Sequence, residues 1–141
     1  MSYPNLSADV FWECTRNRSS YMVKRGHGTS QTIFSKEPMN LKNIHSRKNS
    51  GLVNEKAIGV MPGTDRGVIL ITKTSNEKNG QKPIKLFQKT ELKKHNRKVY
   101  GSIVNTTAKK YYRPDLRADA VARASAILHS QRKQKGSSSS A

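Results

Sequence analysis

Arginine recurs through KKYYRPDLRADAVARASAILHSQRK, residues 109–133, at Arg113, Arg117, Arg123 and Arg132, directly after Tyr111 and Tyr112. A guanidinium grips a phosphate through two parallel hydrogen bonds and stacks on flat rings, and a tyrosine ring stacks on an unpaired base. The residues of catalysis show no comparable grouping. His27, His45, His95 and His129 stand singly, without the spacing that sets two metal ligands on one helix face. Asp115 and Asp119 lie one turn apart and could hold a cation, although offsetting nearby arginines and the helix dipole is their simpler role. Cys14 is the only cysteine, so there is neither a disulfide frame nor a thiolate metal cage, and it is expected to be a small core residue. The glycines of RGHG and GLVNEKAIGV do not match a phosphate-cradling loop. No enzyme, catalytic residue, metal or cofactor is expected.

The composition agrees with anion binding. The chain has 141 residues, with 27 Lys and Arg against 9 Asp and Glu, a net charge of +18. Solubility of a small domain needs a magnitude of only about 2–8. The hydrophobic fraction of 33% stays below the roughly 45–50% of a typical globular domain even with glycine added. A small core and a repelling surface favour completion against a polyanion. The basic residues are spread along the chain, which suggests many contacts over a broad surface. The longest apolar run is Val68–Ile71, far short of the ~18 residues of a membrane span, and the first residues lack the pattern of a secretory signal. An intracellular protein that neither enters a membrane nor forms a homo-oligomer is expected.

The elements that must position these cations read as an α+β fold. Residues 6–17 predict a short helix with Ser7 as N-cap, a Leu6–Phe11 staple and Asn17 as a left-handed end. Residues 19–25 and 31–35 predict strands joined by the glycine-containing GHGT turn. Residues 36–55 show no period and are expected to be ordered mainly by a bound partner. Strands follow at 56–61 and 67–74 around the turn PGTDR, the second central and covered on both faces. A polar loop is expected at 75–83 and a further strand at 84–89. From about residue 90 the period is helical, with Val99, Tyr100, Ile103 and Val104 on one face. A last helix starts near Pro114 and frays around 132. Leu116, Ala120, Val121, Ala124, Ile127 and Leu128 span an arc of roughly 140° expected to dock on the sheet, and Ala118, Ala122, Ser125 and Ala126 leave the far side smooth. The expected architecture is a small antiparallel sheet with an N-terminal helix, two C-terminal helices and extended loops ordered on RNA. One domain would cover 1–133, with a flexible serine-rich tail at 134–141.

Several blocks carry a family resemblance. FWECTRNRSSYMVKR (11–25), FSKEPMNLKN (34–43), SGLVNEKAIGV (50–60), RGVILITKT (66–74) and the segment 109–133 are similar, in this order, to the eukaryotic large-subunit ribosomal protein family twenty-eight. Its most specific part is Tyr112 to Arg117 followed by Arg123 to Ile127. The resemblance is looser over 75–105. It implies a structural constituent of the cytosolic large ribosomal subunit, assembled in the nucleolus, with ribosomal RNA and neighbouring ribosomal proteins as partners. The expected RNA contacts are Arg16, Arg18, Lys24 and Arg25 near the first strand, and Arg47 and Lys48 in the 36–55 loop. Lys93, Lys94, Arg97 and Lys98 are expected at the penultimate helix, and Tyr112, Arg113, Arg117 and Arg123 around the last. For any one of these residues the plainer alternative is a solvated charge. A nucleolar assembly factor with a related fold is the alternative function, although such proteins carry charged extensions or cysteine clusters that this chain lacks. A cationic membrane-active protein would need a broad Leu, Phe and Trp face, where the last helix has small residues.

Overall fold

The computed structural model describes residues 6–74 and 83–137. The order of elements is α1 (Ala8–Thr15), β1 (Met22–Arg25), β2 (Thr32–Ser35), β3 (Ile58–Pro62), β4 (Val68–Lys73), α2 (Pro83–Leu86), β5 (Phe87–Leu92), α3 (Asn96–Val104) and α4 (Arg117–Ser137). This is an α+β fold with one two-stranded and one three-stranded sheet, β1-β2 and β3-β4-β5. The chain packs as two compact units, residues 1–59 with 72–88, and residues 60–71 with 89–141. The loop expected at 75–83 lies almost wholly outside the described residues.

In the first unit, Ser7 Oγ accepts from Val10 N–H at 3.4 Å and caps α1. The helix nevertheless buries no residue completely. Cys14 is exposed, which corrects its expected place in the core, and Leu6 is 42% exposed, too open for a closed staple. Asn17 does not take the left-handed conformation; among the described non-glycine residues only Asn43 and Tyr111 have positive φ. Helix α1 is held instead by its partners. His45 Nε2 lies 2.7 Å from the Arg16 carbonyl oxygen, the His45 ring is 5.0 Å from that of Trp12, and Arg47 pairs with Asp9. Strands β1 and β2 pair antiparallel, Met22 with Ser35 through Arg25 with Thr32.

The segment 36–55, expected to be ordered mainly by a bound partner, carries packing and hydrogen bonds of its own. Met39, Leu41 and Val53 are buried, as are Glu37, Asn49 and Ser50. Glu37 Oε2 accepts from Ser50 Oγ at 2.9 Å and from Gly51 N–H at 3.0 Å. Asn54 Nδ2 donates to the carbonyls of Arg47 and Ser50, each at 2.7 Å. Lys73, at the end of β4, is 4% exposed, and its Nζ donates to the carbonyls of Gly51, Leu52 and Asn54 at 3.3, 3.4 and 2.8 Å. A Cβ on Gly51 would stand 2.1 Å from Met39 Cβ, so only glycine lets the two backbones approach. Polar side chains thus satisfy a backbone that has no ladder of its own. The segment lacks a hydrophobic period because its order comes from these bonds.

In the second unit the strand β4 reads as expected. Val68, Leu70 and Ile71 are buried and Ile69 half-buried, in the middle strand of the sheet. Strand β5 starts later than the sequence suggests and runs to Leu92, and residues 83–86 before it are helical. Its exposed Gln88–Glu91 show no apolar alternation, as suits an edge strand. Val99 and Ile103 of α3 are buried, as are Leu116 in the turn before α4 and Ala120, Ala124 and Leu128 of α4, and the two helices pack together. Helix α4 continues to Ser137, past the expected fraying point. A π-helical stretch, Asn105–Lys109, and a 3-10 turn, Pro114–Leu116, form the corner between the two helices.

The β3–β4 turn is tied to α4 by a pair of bonds. Gly67 N–H donates to Gln131 Oε1 at 3.0 Å, and Gln131 Nε2 donates to the Gly67 carbonyl at 2.9 Å. The amide of Gln131 thereby copies a strand's backbone pairing. Gly67 has φ +96°, and a Cβ there would stand 2.4 Å from the Leu92 carbonyl oxygen.

Two stability measurements follow. Gly67→Ala should cost at least about 2 kcal/mol in urea unfolding of the purified chain, from positive-φ strain and the clash together; a loss under 0.5 kcal/mol would contradict the turn geometry. Lys73→Met should cost about 2–3 kcal/mol, because three carbonyls lose their donor. Burial lowers the Lys73 pKa from its ordinary 10.5. The unfolded state therefore binds more protons between the folded value and 10.5, and the group's contribution to stability rises with pH through that window. The gap between wild type and Lys73→Met should widen from neutral pH toward 10.5, and a gap that narrows would count against a desolvated ammonium.

Candidate nucleic-acid interface

The Gly67–Gln131 clamp forms one wall of a cavity of about 300 Å³ in the second unit. The lining comes from three segments. Arg66 and Gly67 come from the β3–β4 turn, Lys93 to Asn96 from the approach to α3, and Leu128, Gln131 and Arg132 from α4. Four cationic side chains thus converge on one concavity, and all four residues are exposed. Lys93 Nζ bonds Glu91 at 3.1 Å. The Glu91 carboxylate, through that hydrogen bond and its charge, holds the Lys93 pKa above the ordinary value.

Helix α3 opens at the same place. His95 is its N-cap and makes no side-chain cap bond, and no acidic residue occupies the first turn. The His95 carbonyl takes the N–H groups of Lys98 and Val99, at 2.8 and 3.1 Å. The positive end of the helix dipole therefore faces a site already lined by cations. Glu91 and Asp65 act on Lys93 by their charge, and an anion at the helix start gains from both the remaining cations and the helix dipole. Among the described residues no group of three His, Cys, Asp or Glu side chains could hold a metal ion, and no helix is long and apolar enough to cross a membrane.

Of the residues expected to meet RNA, the structure brings Lys93 and Lys94 into this cavity, and places Arg97 and Lys98 exposed on the first turn of α3. Arg117 is exposed at the start of α4, and Arg123 is half-buried. Arg113 is engaged in a fork with Asp115, Nε to Oδ1 and Nη2 to Oδ2, both 2.8 Å, with only 16% of its side chain exposed. Tyr112 is half-buried, whereas Tyr111, at φ +50°, is 82% exposed. In the first unit Lys24 and Arg25 lie exposed at the end of β1, and Arg18 and Lys48 are exposed. Arg16 pairs with Glu13 at 3.3 Å, and Arg47 with Asp9.

Arg66, His95, Asn96, Gln131 and Arg132 complete the cavity and were absent from the contacts expected from sequence. Their distance along the chain hides their proximity. The one available signal was Gly67 at the end of PGTDRG, which marks a turn that another segment approaches closely.

Comparison with known proteins agrees with the sequence resemblance. Residues 10–130 match the Ribosomal L28e protein family. A protein of the fission yeast Schizosaccharomyces pombe, named large ribosomal subunit protein eL28, is 45% identical over 133 residues, which cover 93% of this chain and 97% of the yeast protein. A Caenorhabditis elegans protein of the same name is 38% identical over 90 residues, covering 63% of this chain and 65% of its own length. With one family spanning nearly all of the described fold, the chain belongs to the ribosomal L28e protein family.

Proposed function

We propose that the chain is a structural constituent of the large subunit of the cytosolic ribosome, and that its basic cavity seats the ribosomal RNA backbone. The observation that carries this reading is the convergence of Arg66, Lys93, Lys94 and Arg132 on the uncapped start of α3. Such a cluster raises the free energy of the isolated chain by like-charge repulsion, and a phosphate removes that cost while releasing condensed counterions. Lys94, Arg66 and Arg132 hold the phosphate oxygens. The backbone N–H groups at the start of α3 add donors of fixed direction. Gln131 keeps the β3–β4 turn in place, so that Arg66 and Arg132 stay on the same side of the cavity.

The remaining cations widen the contact. Arg97, Lys98 and Arg117 continue the positive surface within the second unit, and Arg16, Arg18, Lys24, Arg25, Arg47 and Lys48 supply it in the first. Arg123 and Tyr112 contribute from α4 and its approach. Arg113 acts chiefly through Asp115, holding the corner that aims Tyr111 outward. Recognition by shape, 2′-hydroxyls and unpaired bases fits this distribution, because the deep major groove of duplex RNA excludes side chains. Assembly in the nucleolus and contacts with neighbouring ribosomal proteins belong to the same reading.

The triple variant Arg66→Ala, Lys94→Ala, Arg132→Ala tests it. In cells that also carry wild type, its share of the large-subunit peak on a sucrose gradient should fall several-fold. The salt slope of RNA binding should drop by up to about three. The urea midpoint of the free chain should hold or rise, since the three residues are exposed. Equal incorporation of variant and wild type would remove the cavity from the RNA contact.

A further inference from the structure

The first unit holds a second cavity of a different chemical kind. It measures about 220 Å³, and its lining includes Phe11, Trp12, Arg18, Tyr21, Glu37 and His45. A cavity of about 150 Å³ is enough to hold benzene, so this space accepts one nucleobase. Two of its rings are fixed in place. Trp12 and His45 lie 5.0 Å apart at an interplanar angle of 36°, and His45 is anchored by its contact with the Arg16 carbonyl oxygen. Tyr21 and Leu52, also part of the lining, are 40% and 44% exposed, large apolar surface left open to water. Rings of this kind are what single-stranded bases stack on.

Glu37 gives the cavity a polar handle. The residue is only 5% exposed, and its Oε2 is used by Ser50 Oγ and Gly51 N–H. Its Oε1 has no hydrogen-bond partner among the described residues. Glu37 is itself part of the cavity lining. Among the described residues no Lys or Arg forms an ion pair with Glu37, in a chain with 27 of them. A carboxylate oxygen left in this state asks for an N–H donor.

We infer that this cavity receives one unpaired RNA base bearing an exocyclic amino group, which stacks among Trp12, His45 and Tyr21 and donates to Glu37 Oε1. Guanine, adenine and cytosine each offer that group. Uracil does not, and its one N–H stands between two carbonyl oxygens that the carboxylate repels. Arg18 at the cavity takes the phosphate of the same nucleotide. The inference rests on RNA being the partner, but it concerns a site separate from the basic cavity.

Trp12 is the only tryptophan, so its fluorescence reports on this cavity alone. The purified full chain is titrated with the trinucleotides UGU, UAU, UCU and UUU. At least one amino-bearing middle base should quench Trp12 with an affinity about tenfold above that of UUU, the size of one good base contact. Ser20→Phe fills the cavity from an exposed lining position without touching the Glu37 bonds. It should abolish the quenching while leaving the unfolding midpoint and binding to a long ribosomal RNA fragment unchanged. Glu37→Gln should erase the preference over UUU. Equal quenching by all four trinucleotides, quenching by none, or quenching that survives Ser20→Phe overturns the inference. Failure of the basic-cavity reading looks different: long-fragment binding then persists in the Arg66, Lys94 and Arg132 variant, while the base preference is unaffected.

Discussion

Like-charge repulsion is the constraint to which the rest of this structure answers. Twenty-seven basic side chains crowd a 141-residue chain whose core is small for its length. The fold meets this with polar ties as much as with apolar packing. Lys73 on three carbonyls, Glu37 on Ser50 and Gly51, and Gln131 on Gly67 each fix a stretch of backbone that no helix or strand would fix. Each tie uses a buried or half-buried polar group with its partners in place, the condition under which such groups stabilise. The cations left outside these ties are then free to be gathered where an anion can meet several together.

That gathering explains why the start of α3 is built as it is. A helix N-terminus ordinarily attracts an acidic side chain or a Ser, Thr, Asp or Asn cap. Helix α1 follows that rule with Ser7 and Asp9, and α4 carries Asp119 in its first turn. Helix α3 breaks it, with His95 before it and Arg97 and Lys98 in its first turn. Local departures of this kind are where function commonly departs from stability. Here the departure coincides with a basic concavity of the second unit, and membership of a ribosomal protein family is what makes RNA the proposed polyanion for it.

The sequence was most legible where one physical signal dominated. The unbroken run Val68–Ile71 identified the central strand, Ser7 the start of α1, Pro114 the approach to α4, and Val99 with Ile103 the buried face of α3. It was least legible where order comes from contacts between distant residues. Residues 36–55 have no period because Glu37, Asn54 and Lys73 organise them one bond at a time. Strand β5 is polar because it is an edge, and Cys14 is exposed because α1 offers only part of one face. The basic cavity was half legible. Lys93 and Lys94 stood out as charges before a helix, but nothing local shows that Arg66 and Arg132 stand beside them. The pairing of Arg113 with Asp115 was legible as an acid offsetting nearby arginines, and the structure adds its forked geometry.

The most direct test is cryo-EM of large subunits purified from the source cells, at a resolution that shows phosphates. The account places an RNA phosphate within hydrogen-bonding distance of Lys94 and of at least one of Arg66 and Arg132, at the first turn of α3. A cavity that opens onto solvent or onto another protein, with RNA elsewhere, contradicts it.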